Sequence, residues 1–179
     1  HLTKAQVRAL ATLTLVFVIA IATLIQECAT NRKDSTSQQS ASAAAATTIA
    51  ADPTKTTVRF LDIGQGDSTI VELPDGKTMV IDAGPRGSAK TIEAQLKADG
   101  RPQVDYLVAT HPDADHIGGM AELINDSSIG SVWAPNATNN TETFRNFLSA
   151  IDRKGLTITQ AVSGTTIAKT DQYSIDILW

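Results

Sequence analysis

Residues 110–119 read Thr110-His111-Pro112-Asp113-Ala114-Asp115-His116-Ile117-Gly118-Gly119 and directly follow the apolar run Tyr106-Leu107-Val108-Ala109. Two of the three histidines of the chain and two aspartates fall within six positions of this stretch. Because side chains two residues apart leave an extended segment on the same side, His111 and Asp113 project together. Asp115 and His116 follow at the turn into a helix. The stretch can therefore present imidazole and carboxylate groups to one or two divalent ions.

A second interpretation stays open at this point. Aspartate is common at helix starts, so the same residues can form a solvated polar loop whose carboxylates cap the next helix. The order His, Asp, Asp, His just behind a buried strand is uncommon in such a loop and favours the metal interpretation. Gly118 and Gly119 leave room for another backbone segment to approach closely.

The pattern around this stretch predicts an α/β fold with helices packed on one face of a sheet. Alternating residues and tight turns predict an antiparallel meander first, and helical periods then alternate with short apolar runs. The predicted strands are residues 57–63, 68–73, 78–81, 104–110, 129–134, 156–159, 165–168 and 173–178. The predicted helices are residues 88–99, capped by Ser88, residues 118–124, and residues 144–155, whose apolar face carries Phe144, Phe147, Leu148 and Ile151.

The amino-terminal part predicts a membrane anchor. Residues 9–26 carry no charge and are about long enough to cross a bilayer core as a helix, here a transmembrane or signal-anchor helix. Residues 1–8 contain Lys4 and Arg8 and are predicted to be a cytoplasmic basic region. A buried core helix is the alternative, and the lack of a polar stripe disfavours it. Lipidation at Cys28 and secretion are also disfavoured relative to a single-pass anchor.

A linker and one domain follow this segment. Residues 27–55 are mostly Ser, Ala and Thr, with too few large apolar groups to offset the entropy of ordering the chain. We expect a flexible tether that carries the domain of residues 56–179 on the extracytoplasmic side of the cell membrane.

Composition excludes several classes of protein. The net charge is -4, and one cysteine can form neither an internal disulfide framework nor a thiolate zinc site. From Lys55 onward there are 11 basic and 16 acidic residues, and no Lys/Arg stripe with interleaved aromatic residues marks a nucleic-acid track. A nucleic-acid substrate therefore has no support from a basic patch, and the oligomeric state is not indicated.

Three motifs together resemble a known family. Residues 110–119 resemble the His-x-His-x-Asp-His metal-binding motif of metallo-β-lactamase-fold hydrolases, with Asp113 in place of the second histidine. Phe60-Leu61-Asp62-Ile63-Gly64-Gln65-Gly66-Asp67-Ser68 and Met79-Val80-Ile81-Asp82-Ala83-Gly84 extend the match toward the hydrolase domain of DNA-internalisation competence proteins and its stand-alone relatives. The resemblance implies the αββα sandwich, of which residues 56–179 would form the first half.

The resemblance also implies roles for the matching residues. His111 and Asp113 would bind a first metal, and Asp115 and His116 a second. Asp115 would in addition orient or deprotonate the attacking water. The supporting or site-lining residues would be Asp82, for which a turn aspartate is the alternative, and Asp62, Gln65 and Asp67. Two zinc ions are expected, and the harder oxygen ligand Asp113 makes manganese the alternative.

The sequence departs from this family after His116, because no histidine follows it. Family members use a further histidine, a bridging aspartate and a final histidine from the second half of the fold. We therefore expect a domain truncated at its carboxyl end, which would bind metal weakly and whose own activity stays open.

Three functions are compatible with these residues. A membrane-anchored, extracytoplasmic metallohydrolase acting on a phosphodiester, another ester or an amide is favoured. A non-catalytic metal-binding or surface-interaction module that retains the fold is the alternative from another class. The outer domain of a larger channel-type uptake protein is the third, and the long tether after a single apolar segment disfavours it.

Overall fold

The computed structural model of the protein describes residues 54–178. The predicted basic region at 1–8, the predicted membrane segment at 9–26, Cys28 and nearly all of the predicted linker lie outside the described residues. Within residues 54–178, no helix has the length and apolarity that a membrane crossing requires.

A six-stranded sheet forms the centre of the domain. Its strands lie in chain order: β1 Thr57–Phe60, β2 Thr69–Glu72, β3 Thr78–Ile81, β4 Gln103–Val108, β5 Ser128–Ala134 and β6 Ile158–Gln160. The first two pairings are antiparallel and the other three are parallel. The predicted meander followed by alternating strands and helices is therefore present, with most strands shorter than predicted.

Four helices connect the parallel strands: α1 Ala89–Ala98, α2 Ala114–Ile117, α3 Met120–Asp126 and α4 Glu142–Arg153. Ile70, Val80, Leu107 and Val132 are successive partners across four strands and form one buried row. This row belongs to the same core as Ile92, Leu96, Leu123, Ile124 and Phe147 of the helices. The helices therefore cover one face of the sheet, as the mixed α/β prediction requires.

The opposite face of the sheet meets a separate antiparallel ribbon of β7 Thr166–Lys169 and β8 Ser174–Asp176. Ile81 and Val108 line a cavity of about 420 Å³ together with Ile167 and Ile175 of the ribbon. A hydrogen bond also joins the ribbon to the β2–β3 turn. The Tyr173 hydroxyl donates to the Asp75 carboxylate at 2.7 Å.

Two local predictions are wrong in part. Ser88 precedes α1 but has helical backbone angles, and its side chain makes no capping hydrogen bond. The predicted apolar face of the last helix included Leu148, yet that side chain is 39% exposed while Ala150 is buried. A small alanine packs closer to the sheet than the periodicity of large residues alone indicates.

The predicted helix at 118–124 is present as α3, which begins and ends two residues later, and the short helix α2 precedes it. Asp115 and His116 lie within α2 rather than ahead of a helix. A Cβ on Gly118 would lie 2.6 Å from the Arg86 nitrogen and 2.7 Å from the Pro85 carbonyl carbon. The glycine lets another segment pack directly against the chain between α2 and α3.

Candidate metal centre

The parallel pairing of β3 with β4 places the first two parts of the site side by side. Ile81 is the partner of Val108, and the Asp82 N–H donates to the Val108 carbonyl at 2.9 Å. The carboxyl ends of the two strands therefore lie together, and Asp82 faces the start of the segment that begins at Thr110.

Asp82 is the buried centre of this arrangement, with 3% of its surface exposed. One carboxylate oxygen accepts the Thr110 N–H at 2.9 Å. The other oxygen accepts the Thr110 hydroxyl at 2.5 Å and lies 2.8 Å from Nδ1 of His116. Asp82 adopts a positive φ of 57°, a conformation that aspartate tolerates better than most residues. These bonds hold the carboxylate in place and occupy both of its oxygens.

This network sets the tautomer of both histidines. An ionised carboxylate only accepts hydrogen bonds, so in the neutral ring of His116 Nδ1 carries the hydrogen and Nε2 keeps a free lone pair. The Thr110 hydroxyl donates its hydrogen to Asp82, so its oxygen accepts a hydrogen bond from Nδ1 of His111, 3.0 Å away. In the neutral ring of His111, Nε2 therefore also keeps a free lone pair. A carboxylate behind a ligating imidazole is the usual support of a metal-binding histidine.

The predicted ligands lie together in two overlapping groups. His111, Asp113 and Asp115 form one group, and Asp82, His111 and His116 form the other, with the ligand atoms of each group within 4.8 Å of one another. The predicted division, with Asp115 and His116 on a second metal, differs from this grouping because His111 belongs to both. Since its oxygens are occupied, Asp82 fits a supporting role better than a ligand role.

Carboxylates surround the free nitrogen of His116. The Asp67 Oδ2 lies 3.5 Å and the Asp115 Oδ2 lies 3.9 Å from its Nε2. Asp113 occupies the position before α2 but makes no side-chain capping bond, so the capping interpretation has no support from this residue. Nitrogen and oxygen donors without a thiolate suit zinc, manganese and other divalent ions.

The other two predicted residues, Asp62 and Gln65, belong to neither ligand group. The Asp62 carboxylate accepts the Gly64 N–H at 3.4 Å, which makes it part of its own turn, and it belongs to neither ligand group. Gln65 lines a cleft together with Asp115.

Backbone contacts join the three motifs. The Asp67 N–H donates to the Asp115 carbonyl at 3.2 Å, and the Ala83 N–H donates to the His116 carbonyl at 2.7 Å. Gly66 has a φ of 146°, and a Cβ there would lie 2.3 Å from the Asp115 carbonyl oxygen. The glycine is therefore required by a close approach, which fixes the first motif against α2.

Burial of His116 disfavours its charged form, but the hydrogen bond to Asp82 and the charges of Asp82, Asp115 and Asp67 outweigh burial. The pKa of His116 is consequently raised above its ordinary value. A proton therefore competes with a metal ion for this ring, and metal affinity should increase as the pH rises.

The side chains of His111, Asp113 and Asp115 are 42%, 63% and 46% exposed, so the donors are open to solvent above the buried Asp82. Several carboxylates lie near one another and near free imidazole nitrogens, an arrangement that a divalent cation would neutralise. The residues present therefore fit a divalent metal.

Comparison with known families agrees with this geometry. Residues 61–172 match the family described as the metallo-beta-lactamase superfamily, so the chain belongs to that superfamily. Members of the superfamily are generally metal-dependent hydrolases, and the fold implies binding of divalent metal. A search of curated proteins returns no match.

Chains of solved structures also match. One is the crystal structure of a metallo-beta-lactamase from Hirschia baltica, with 20% sequence identity and a TM-score of 0.38. The match covers 63% of this chain and 57% of that chain, so the chain spans little more than half the length of this neighbour.

Sequence reasoning assigned no role to Thr110 or Arg86. A hydroxyl directly before a candidate ligand histidine was a usable signal for Thr110. Arg86 had no such signal, because its place beside the site depends on the contact between residues 84–86 and residues 118–119.

Proposed function

We propose that this protein is a metal-dependent hydrolase of the competence-protein type, which uses water to cleave a phosphodiester or another ester. The observation that carries the proposal is the network around Asp82. It directs a free Nε2 from both His111 and His116 toward neighbouring carboxylates. A site that only required a polar surface would not need two histidines fixed in the same tautomer.

In this proposal the residues of the site have three roles: metal ligand, support of a ligand, and general base. His111, Asp113, Asp115 and His116 would hold zinc, with manganese as the alternative, and Asp82 and Thr110 would orient the two rings. A bound divalent metal polarises a substrate oxygen and lowers the pKa of water. Asp115 is half-exposed and lines a cleft, where its carboxylate orients the attacking water and accepts its proton.

The competence-type substrate rests on the three motifs and their order along the chain. Extracytoplasmic anchoring through residues 9–26 rests on the uncharged length of that segment. The alternative function, a non-catalytic metal-binding module, is favoured by one observation. Asp113 stands where the family motif has a histidine. Its side chain is 63% exposed, the largest exposed fraction among the four proposed ligands.

The test is metal-dependent hydrolysis by the full chain. We expect zinc- or manganese-loaded protein to cleave the phosphodiester p-nitrophenyl thymidine-5′-phosphate or the ester p-nitrophenyl acetate. Because the metal supplies the activation of water, EDTA should remove this activity and added metal should restore it. Hydrolysis that survives removal of the metal would contradict the proposal. Stoichiometric metal binding without hydrolysis of either compound would favour the non-catalytic module.

A further inference from the structure

A cleft of about 380 Å³ opens directly beside Asp115. Gln65, Arg86, Asp115 and Thr143 are among the residues that line it. Its volume lies in the range of about 300–1,000 Å³ that is common for small-molecule sites. Arg86 and Thr143 also line a second cavity of about 300 Å³, which extends along α4 to Asn146. Arg86 thus lines both spaces, and one of them also contains Asp115.

The Arg86 side chain is available to a ligand. It is 84% exposed, and its one ion pair within residues 54–178 is a contact of 3.8 Å between its Nε and Oε1 of Glu122, which is itself 38% exposed. Exposed ion pairs of this kind contribute little to stability. An incoming anion can therefore replace Glu122 at little cost, and the planar guanidinium offers several donors to it.

The backbone of Arg86 is held against the candidate metal centre. Gly118 leaves no space between its own Cα and the Pro85–Arg86 peptide, and the Gly119 N–H donates to the Gly84 carbonyl at 3.0 Å. Gly84 follows Asp82 by two residues, and Gly118 follows His116 by two. The position from which the Arg86 side chain extends is thus fixed relative to the segment after Asp82 and the segment after His116.

Arg86 and Asp115 are the two charged residues that line the cleft. Among the residues that line the space beside Asp115, Arg86 is the one cation. The acidic residues Glu122 and Glu142 and the cation Arg153 line the second cavity. Asp115 faces the metal and the attacking water in the proposed function, which leaves the guanidinium as the group that can bind substrate charge.

We propose that Arg86 binds an anionic oxygen group of the substrate, a phosphate or a carboxylate, and thereby selects anionic over neutral substrates. This inference rests on the proposed hydrolase function. Bidentate, charge-assisted hydrogen bonds from arginine to phosphate or carboxylate give both affinity and orientation. A neutral ester gains neither from Arg86.

The experiment compares Arg86→Gln, Arg86→Lys and wild type on three compounds. These are the phosphodiester p-nitrophenyl thymidine-5′-phosphate, the carboxylate-bearing ester p-nitrophenyl hemisuccinate and the neutral ester p-nitrophenyl acetate. We expect Arg86→Gln to lower the ratio of kcat/KM for an anionic over the neutral compound by about 10- to 100-fold, mostly through KM. Arg86→Lys should retain part of the ratio. The anionic compound that loses more identifies phosphate or carboxylate as the group bound.

Lys97→Gln is the matched control. It removes one exposed positive charge from the last turn of α1, roughly 12 Å along the helix from Ala89, its first residue. We expect it to leave the ratio unchanged. An equal loss in Lys97→Gln and Arg86→Gln would overturn the inference, because it would show an effect of net charge alone. An unchanged ratio in Arg86→Gln would overturn it as well.

A binding measurement separates this inference from the proposed function. Phenylphosphonate resists hydrolysis, and its affinity for the metal-loaded protein can be measured by calorimetry. We expect Arg86→Gln to weaken it by about 10-fold or more. One outcome is that wild type hydrolyses none of the three compounds while Arg86→Gln binds phenylphosphonate more weakly than wild type. In that case the hydrolase proposal fails and the anion site stands. If hydrolysis occurs and phenylphosphonate binds both proteins equally, the anion site fails and the hydrolase stands.

Discussion

Replacing Asp115 by Asn is expected to lower kcat by about 10²- to 10⁴-fold, the usual contribution of a positioned general base. The amide keeps the size of the carboxylate but cannot accept a proton from water. The backbone carbonyl of residue 115, which accepts the Asp67 N–H, is unaffected by the substitution. The measurement is the kcat for p-nitrophenyl thymidine-5′-phosphate or p-nitrophenyl acetate at saturating metal, with the bound metal counted in the same samples.

Asp152→Asn is the control for this variant, since Asp152 is an exposed residue of α4 and the change in charge is the same. It should retain wild-type kcat. If Asp115→Asn also retains wild-type kcat with metal bound, Asp115 is not the base and the proposed division of roles is wrong.

Replacing Asp82 by Asn has the second large expected effect, a loss of about 10- to 100-fold in zinc affinity, as is typical when the partner of a ligating histidine is removed. The carboxylate accepts three hydrogen bonds through its two oxygens. An amide offers one oxygen and one donating nitrogen, so at least one of these donors loses its acceptor. The dissociation constant for zinc, measured by competition with a chromophoric chelator, checks the prediction.

Thr110→Val separates the two histidines in this network. It removes the hydroxyl between Asp82 and His111 but leaves the direct bond from His116 to Asp82. We expect a smaller loss of zinc affinity than in Asp82→Asn, with recovery in Thr110→Ser. Nitrogen NMR of the histidine rings should show that His111 alone loses its fixed Nδ1–H tautomer. Unchanged ring tautomers in both variants would mean that Asp82 does not orient the site.

The order of elements was predictable because each depends on a local pattern. The alternation around residues 57–81 and the helical period of residues 142–153 each report which side chains face the core. The division between α2 and α3 was not predictable, because it depends on Gly118 packing against Pro85 and Arg86, residues distant in sequence.

The candidate site likewise has one part that local sequence predicts and another that depends on contacts between distant residues. His111, Asp113, Asp115 and His116 are neighbours in sequence, so their spacing alone indicated a metal site. Asp82 is 28 residues from Thr110 and 34 from His116, and only the parallel pairing of β3 with β4 brings them together. Its predicted supporting role came from the resemblance to a family, and the roles of Thr110 and Arg86 required the three-dimensional contacts.

The metal content of the purified protein tests the central claim most directly. At equilibrium with saturating zinc or manganese, elemental analysis of wild type should find at least one equivalent of metal per chain above a protein-free sample. His111 belongs to both groups of candidate ligands, so His111→Ala should bind far less metal while retaining its fold by circular dichroism. Folded wild-type protein without bound zinc or manganese, or an equal metal content in His111→Ala, would contradict the account.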